Sequence, residues 1–274
     1  MSKKYEELTF ADDFMFCKIL TSNPDLCHEL LELILGHKVG RFTRLDKQKP
    51  IELTADGKGI RFDVYSEDDS GTVFDCEMQT SNGKNLPKRS RYYQGMIDLN
   101  LIERGAEYSK LKRSYVIFIC TFDVFGKGLH KYSFENTCKE LPELSLGDES
   151  TKIFLCAGSN ADDVSDDMKD FLEWLAGQST CKSKLVQNLI GAVQKARNHE
   201  EWRLEYMTLL MRDQEMIQKG REEGRMQGRD QTLFSLVQDG ILEPSVAAEK
   251  ANMPLGEFEA AMQKAGYSVP VLAR

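Results

Sequence analysis

The spacing of apolar residues along the chain changes period twice, and those changes outline the elements. Thr9 followed by Asp12 and Asp13 reads as a helix start, continued at helical spacing by Phe14, Cys17, Lys18 and Thr21. A second helix is predicted from Pro24, in a first-turn position, to Leu35, with Gly36 as its stop and Leu26, Leu30, Leu33 and Ile34 as its apolar face. Runs rich in β-branched and aromatic residues then occur at 51–54, 60–65, 72–79, 115–122 and 152–157. Between the third and fourth, residues 87–104 read as a helix ended by Gly105, and helical periodicity returns from about Asp167 to the C-terminus. This order predicts an α/β domain, helices around a mostly sequential sheet, followed by an all-helical extension. The expected divisions are a core over 1–160, a helical segment over 161–211 that packs on or extends it, and a tail over 212–274.

In that tail Gly220, Gly224 and Gly228 recur every four residues beside Arg221, Arg225 and Arg229. A helix there carries a smooth stripe flanked by a basic one, which suits close packing between subunits; a loosely helical linker is the alternative. Residues 243–251 and 255–265, broken at Asn252-Met253-Pro254, form a unit of helix–turn–helix size, a description that fits any helical hairpin.

Composition narrows the class. The 274 residues carry 36 Lys plus Arg against 44 Asp plus Glu, a formal charge of −8, with 41% hydrophobic and 29% charged residues. Such a chain is neither a disordered polyelectrolyte nor collagen-like, and no apolar run approaches the roughly 18 residues of a membrane-spanning helix. The N-terminus turns acidic before any apolar stretch, so no signal peptide is expected and the reading is cytoplasmic. Seven cysteines, at 17, 27, 76, 120, 138, 156 and 181, show no zinc-like spacing, and Cys76, Cys120 and Cys156, inside apolar runs, read as reduced core thiols. The acidity is uneven. Between Asn82 and Arg113 stand Lys84, Lys88, Arg89, Arg91, Arg104, Lys110, Lys112 and Arg113 against only Asp98, Glu103 and Glu107, which keeps a nucleic acid open as a partner.

Residues 59–79 carry the most chemistry: two strands joined by an acidic turn containing Gly71. Strict alternation places Ile60, Phe62 and Val64 on one face and Arg61, Asp63 and Tyr65 on the other, with Phe74, Cys76 and Met78 opposed to Asp75, Glu77 and Gln79. Matching apolar faces pairs Phe62 with Met78 and Val64 with Cys76, which sets Asp63 opposite Glu77. The remaining loop is Asp69-Ser70-Gly71, with glycine at its left-handed position. Two adjacent carboxylates resist joint ionisation unless a cation or open water compensates them, and an oxygen pair suits Mg²⁺ or Mn²⁺. The plainer alternative is the solvated face of a hairpin.

Asp63 followed by Glu77-Met78-Gln79 resembles the PD-(D/E)xK nuclease signature, in the form found in recombination-promoting nucleases and related transposases. The likeness extends to residues 12–16, 30–32, 61–65, 88–94 and 115–120. It implies a restriction-endonuclease-like core, a mixed central sheet flanked by helices, and Mg²⁺-dependent cleavage of DNA. Asp63 and Glu77 are then the implied metal ligands and catalytic acids, with Gln79 at the usual lysine position and Phe62 where the signature has proline. Gln79 can orient water or phosphate but carries no charge, so Lys84 and Lys88 come forward as substitutes. Asp13 and Glu32 are further candidates for the metal shell. Lys88, Arg89, Arg91 and Tyr92, with Tyr93, combine bases and aromatic rings suited to phosphate contact and stacking. Tyr93 is the one expected to pack on the sheet. The four histidines show no ligand spacing, and Gly126-Lys127-Gly128 reads as a turn. Two classes therefore compete: a metal-dependent endodeoxyribonuclease of recombination or transposition, and a non-catalytic DNA-binding or self-assembling scaffold on the same fold.

Overall fold

A computed structural model describes residues 3–51, 60–83, 85–178 and 181–268. Its described residues form two compact units, Met1–Arg203 and Leu204–Arg274.

The first unit opens with α1 (Asp13–Ser22) and α2 (Pro24–Leu35). Pro24 at the first turn and Gly36 at φ 77° bound α2 as its sequence requires. The buried stripe of α2 is Cys27, Leu30, Leu31 and Ile34, one step around from the expected face, so that Leu26 and Leu33 are only half-buried. A six-stranded sheet follows, β1 (Phe42–Ile51), β2 (Ile60–Asp68), β3 (Val73–Gln79), β4 (Ser114–Cys120), β5 (Lys131–Phe134) and β6 (Ser150–Cys156), with α3 (Leu86–Leu101) between β3 and β4. Its order is β1-β2-β3-β4-β6-β5, parallel across β3-β4-β6 and antiparallel elsewhere. That is the mixed sheet the resemblance implies.

Several expectations are corrected in detail. The run at 51–54 falls almost wholly outside the described residues, and the strand there is β1, whose sequence of alternating charges lacks the apolar signal of a half-buried strand. β5 was equally silent, its four residues being only half-buried or exposed. Helix α3 ends at Leu101, with Ile102 already extended, and Gly105 serves the following turn at φ 83°. Glycines 126 and 128 do form a turn, at φ 64° and 76°, where the Gly128 N–H donates to Asp123.

The β2–β3 hairpin keeps the anticipated register, Val64↔Cys76, Tyr65↔Asp75, Ser66↔Phe74 and Glu67↔Val73, and Gly71 adopts φ 81°. The facial assignment does not hold. Ile60, Phe62 and Tyr65 all join one core cluster with Val73, Val116, Phe118 and Phe154 and with Leu86, Tyr93, Met96 and Ile97 of α3. Strict alternation would separate Phe62 from Tyr65. The phase breaks between them, where β1 and β2 pair as Lys47↔Val64 and Lys49↔Phe62 and the intervening Gln48 is left-handed at φ 47°. The expected Phe62–Met78 pair is consequently not in the ladder.

After the sheet come α4 (Asp166–Leu175), α5 (Lys184–Arg197) and α6 (Glu200–Gln238). α5 packs against α1 and α2, and clamps the N-terminal segment: Tyr5 donates to the Ala196 carbonyl at 2.6 Å and Arg197 to the Leu8 carbonyl. α6 runs unbroken through Gly220, Gly224 and Gly228, where an added Cβ would meet open space. In the second unit Leu233, Phe234 and Val237 of α6 form a small core with α7 (Pro244–Ala251) and α8 (Leu255–Lys264). Among the described residues no helix is long and apolar enough to cross a membrane.

The β2–β3 turn hangs on Asp68, a buried residue. Its Oδ1 accepts from the Ser70 N–H and hydroxyl and from the Thr72 N–H, and its Oδ2 from the Gly40 N–H. Asp68→Ala is expected to lower stability by about 2–3 kcal/mol, a loss of charge-assisted bonds to backbone donors. Urea unfolding should show the shift in midpoint with an unchanged slope, and Asp68→Asn should recover part of it.

Candidate active site

The ladder between β2 and β3 stops at Val64↔Cys76 among the described residues, and beyond it carboxylates replace carbonyls as acceptors. Glu77 Oε1 accepts from the Asp63 N–H at 2.9 Å, and Asp63 Oδ2 accepts from the Met78 N–H at 3.2 Å. The two acids are thus wedged into the mouth of the hairpin, each holding the other's strand. Both are buried, as is Asp75, two residues along β3 from Glu77 on the same side of the strand.

Helix α1 closes the site at one edge. Asp12 folds back onto the Thr9 N–H and hydroxyl, while Asp13 starts the helix with its side chain half exposed. Asp13, Cys17 and Asp63 offer ligand atoms that all lie within 4.8 Å of one another. Cys17 sits one turn from Asp13, the spacing that stacks side chains on a helix, and its thiol donates to Asp13 Oδ1 at 3.6 Å. Arg61 reaches Asp13 at 3.8 Å.

Helix α3 closes the site from the sheet face that carries the Phe62 cluster. Arg89 pairs with Glu77 through Nη2 and donates to Gln79 Oε1 through Nη1 at 2.9 Å, while Gln79 Nε2 donates to the Ser81 carbonyl at 2.7 Å. The guanidinium lies 4.8 Å from the Tyr93 ring centroid and 5.3 Å from that of Phe118. Tyr93 packs on the sheet as its position suggests; Lys88, Arg91 and Tyr92 point outward.

Burial dominates the electrostatics. It pushes the Asp63 carboxyl up to about 9, with the nearby Glu77 and Asp13 adding to the effect. Burial also raises Glu77, against the lowering pull of Arg89 and the Asp63 N–H. Asp75 is raised well above the carboxylate range by burial and then by Glu77 and Asp63. Among the described residues neither of its oxygens meets a hydrogen-bond partner, so burial favours its neutral form. Burial likewise raises the Cys17 thiol far above its ordinary value.

Of the residues singled out from sequence, the structure gathers Asp63, Glu77, Gln79, Asp13 and Arg89. Glu32 stands apart from them: it accepts from Lys38 at 2.8 Å and from the Val39 N–H, which tie down the segment after α2. Lys84 lies outside the described residues. Sequence reasoning passed over Cys17, although its i, i+4 relation to Asp13 was available, and gave Asp75 no role. The donor set is oxygen-rich and undercompensated, and Asp75 is an orphaned buried acid beside it. These residues fit a hard divalent cation such as Mg²⁺ or Mn²⁺.

Comparison with known proteins gives one family: the pattern of the PD-(D/E)XK nuclease family transposase matches residues 11–175, more than half of the chain. No curated protein and no solved structure matches it.

A folded-state value of about 9 for Asp63, above its unfolded value, means that the folded protein binds this proton more tightly. The resulting stabilisation is complete below the ordinary aspartate range and is lost as pH rises through 9. In chelator, Tm should therefore fall between pH 6 and 9 more steeply for the parent than for Asp63→Asn, as followed by circular dichroism. Parallel curves would contradict the assigned burial effect.

Proposed function

Because the chain belongs to the PD-(D/E)XK nuclease family of transposases, we propose that it is a cytoplasmic, metal-dependent endodeoxyribonuclease acting in recombination or transposition. The observation that carries this reading is the convergence of Asp13, Cys17 and Asp63, whose ligand atoms lie within 4.8 Å of one another, with Glu77 joined to the Asp63 N–H at the mouth of the β2–β3 hairpin. Asp63 and Glu77 are the residues we assign to holding Mg²⁺ or Mn²⁺, with Asp13 completing the set. When bound, such a cation supplies a water of lowered pKa and stabilises charge on a phosphodiester. Gln79, in this assignment, serves the site through its amide, whose oxygen accepts from Arg89 and whose nitrogen donates to the Ser81 carbonyl.

DNA is the proposed substrate. Lys88, Arg91 and Tyr92 are exposed along α3 beside the site, while the Arg89 guanidinium turns inward, so the helix presents phosphate contacts next to the acids. A scaffold reading is favoured by a single feature, the neutral Gln79 at the lysine position, and the assay below decides between the two.

Supercoiled plasmid incubated with Mg²⁺ or Mn²⁺ should be nicked or linearised, and EDTA should stop the reaction. Asp63→Ala and Glu77→Ala should each lower the rate by at least about a hundredfold, the scale of losing a catalytic charge stabiliser. Retention of the parental rate by the double variant would exclude the enzyme assignment.

The tail is proposed to self-associate. Its glycine stripe opens onto free space, and each glycine costs a helix on the order of 1 kcal/mol relative to alanine, which close helix packing offsets. Gly224→Leu should convert oligomers to monomers in sedimentation velocity; an unchanged distribution would remove this role.

A further inference from the structure

We propose that Arg89 supplies the positive charge that the nuclease signature takes from lysine and that Gln79 lacks. This inference rests on the nuclease reading above and identifies a residue of the same site.

Position 79 ends β3 with a neutral amide, and both ends of that amide are committed. Its Nε2 donates to the Ser81 carbonyl at 2.7 Å, which fixes which way the group faces. Its Oε1 is thereby left toward α3 and accepts Arg89 Nη1 at 2.9 Å. Gln79 thus works as an adaptor, holding on the strand end a cation that comes from a helix.

Three further contacts fix the guanidinium. Nη2 pairs with Glu77, and the group lies over the rings of Tyr93 and Phe118. A planar fork constrained at two corners and stacked on aromatic rings gives up little freedom when it meets a phosphate. It is also not sealed in: 34% of the Arg89 side chain stays accessible, and a guanidinium has five N–H donors, more than Glu77 and Gln79 employ. An arginine serving only to neutralise Glu77 has no need of the Gln79 carbonyl or of an open side. One serving only as a surface phosphate contact would extend outward like Lys88 and Arg91. Lys88, one residue away, is exposed on α3 and lacks the inward anchoring that Arg89 has.

The test is an exchange of charge between the strand and the helix. Arg89→Gln should lower kcat for plasmid cleavage by about 10²–10³-fold, as for removal of one preorganised donor. Affinity for an oligonucleotide duplex, read by fluorescence anisotropy with Ca²⁺ in place of Mg²⁺, should change by less than about threefold. Gln79→Lys introduced into Arg89→Gln should recover at least about tenfold in kcat, because it returns one cation to the same point of the site. Arg89→Lys covers the case in which Arg89→Gln does not melt cooperatively; it keeps the charge but loses the fork that spans Glu77 and Gln79, and is expected to lower kcat by about tenfold or more with duplex affinity again within about threefold. The proposal is overturned if Arg89→Gln cleaves at the parental rate, if its whole deficit appears in duplex affinity, or if Gln79→Lys gives no recovery in a folded double variant. An inactive parent would instead bring down the nuclease reading itself, an outcome visible before any variant is compared.

Discussion

Removing a carboxylate from water without a partner is costly by several kcal/mol, yet the β2–β3 hairpin buries Asp63, Asp75 and Glu77 together. Among the described residues one guanidinium and two backbone N–H groups compensate them. Much of the surrounding structure follows from that shortage. Protons stay on the acids well above the usual carboxylate range, Arg89 is drawn inward from a helix whose other bases face solvent, and Asp13 of α1 brings yet another acid to the edge of the same space. Buried acids this poorly compensated are unfavourable as a structural device, and relief of that cost is what the proposed cation would supply.

The sheet explains how the acids come to be there. β3 lies at the junction between an antiparallel neighbour and a parallel one, and both of its edges are satisfied by backbone partners up to Cys76. Farther along, only the β4 side remains paired through Gln79. The side toward β2 opens, and the opening is where carboxylates can accept from N–H groups that would otherwise meet carbonyls. Helices α1 and α3 then approach the gap with opposite contributions, an acid and a thiol from the first and a cation from the second.

Much of this was legible in the chain. The boundaries of α2, the register of the hairpin and the left-handed Gly71 all follow from local chemistry: a proline start, a glycine stop and matched apolar faces. The signature phrases led to Asp63, Glu77 and Gln79 because those residues are near each other in sequence and on neighbouring strands. What could not be read was set by tertiary context. β1 is written in charged residues because it is an edge strand, so it lacks the apolar alternation that marks a core strand. The change of phase within β2 depends on Gln48 of that same edge, which no local pattern announces. Arg89 read as one base among several, and its selection comes only from where α3 lands on the sheet. Cys17 was hidden by its own ordinariness, a small buried residue on a helix face.

The ring of Tyr93 has a double attachment: it meets Phe62 edge-on at 5.4 Å on one side and lies under Arg89 on the other. Phe62 is the backbone neighbour of Asp63. Helix α3 and strand β2 are thus geared together through a shared apolar cluster in which Tyr93 also touches the base, so a displacement of either element bears on both the basic and the acidic half.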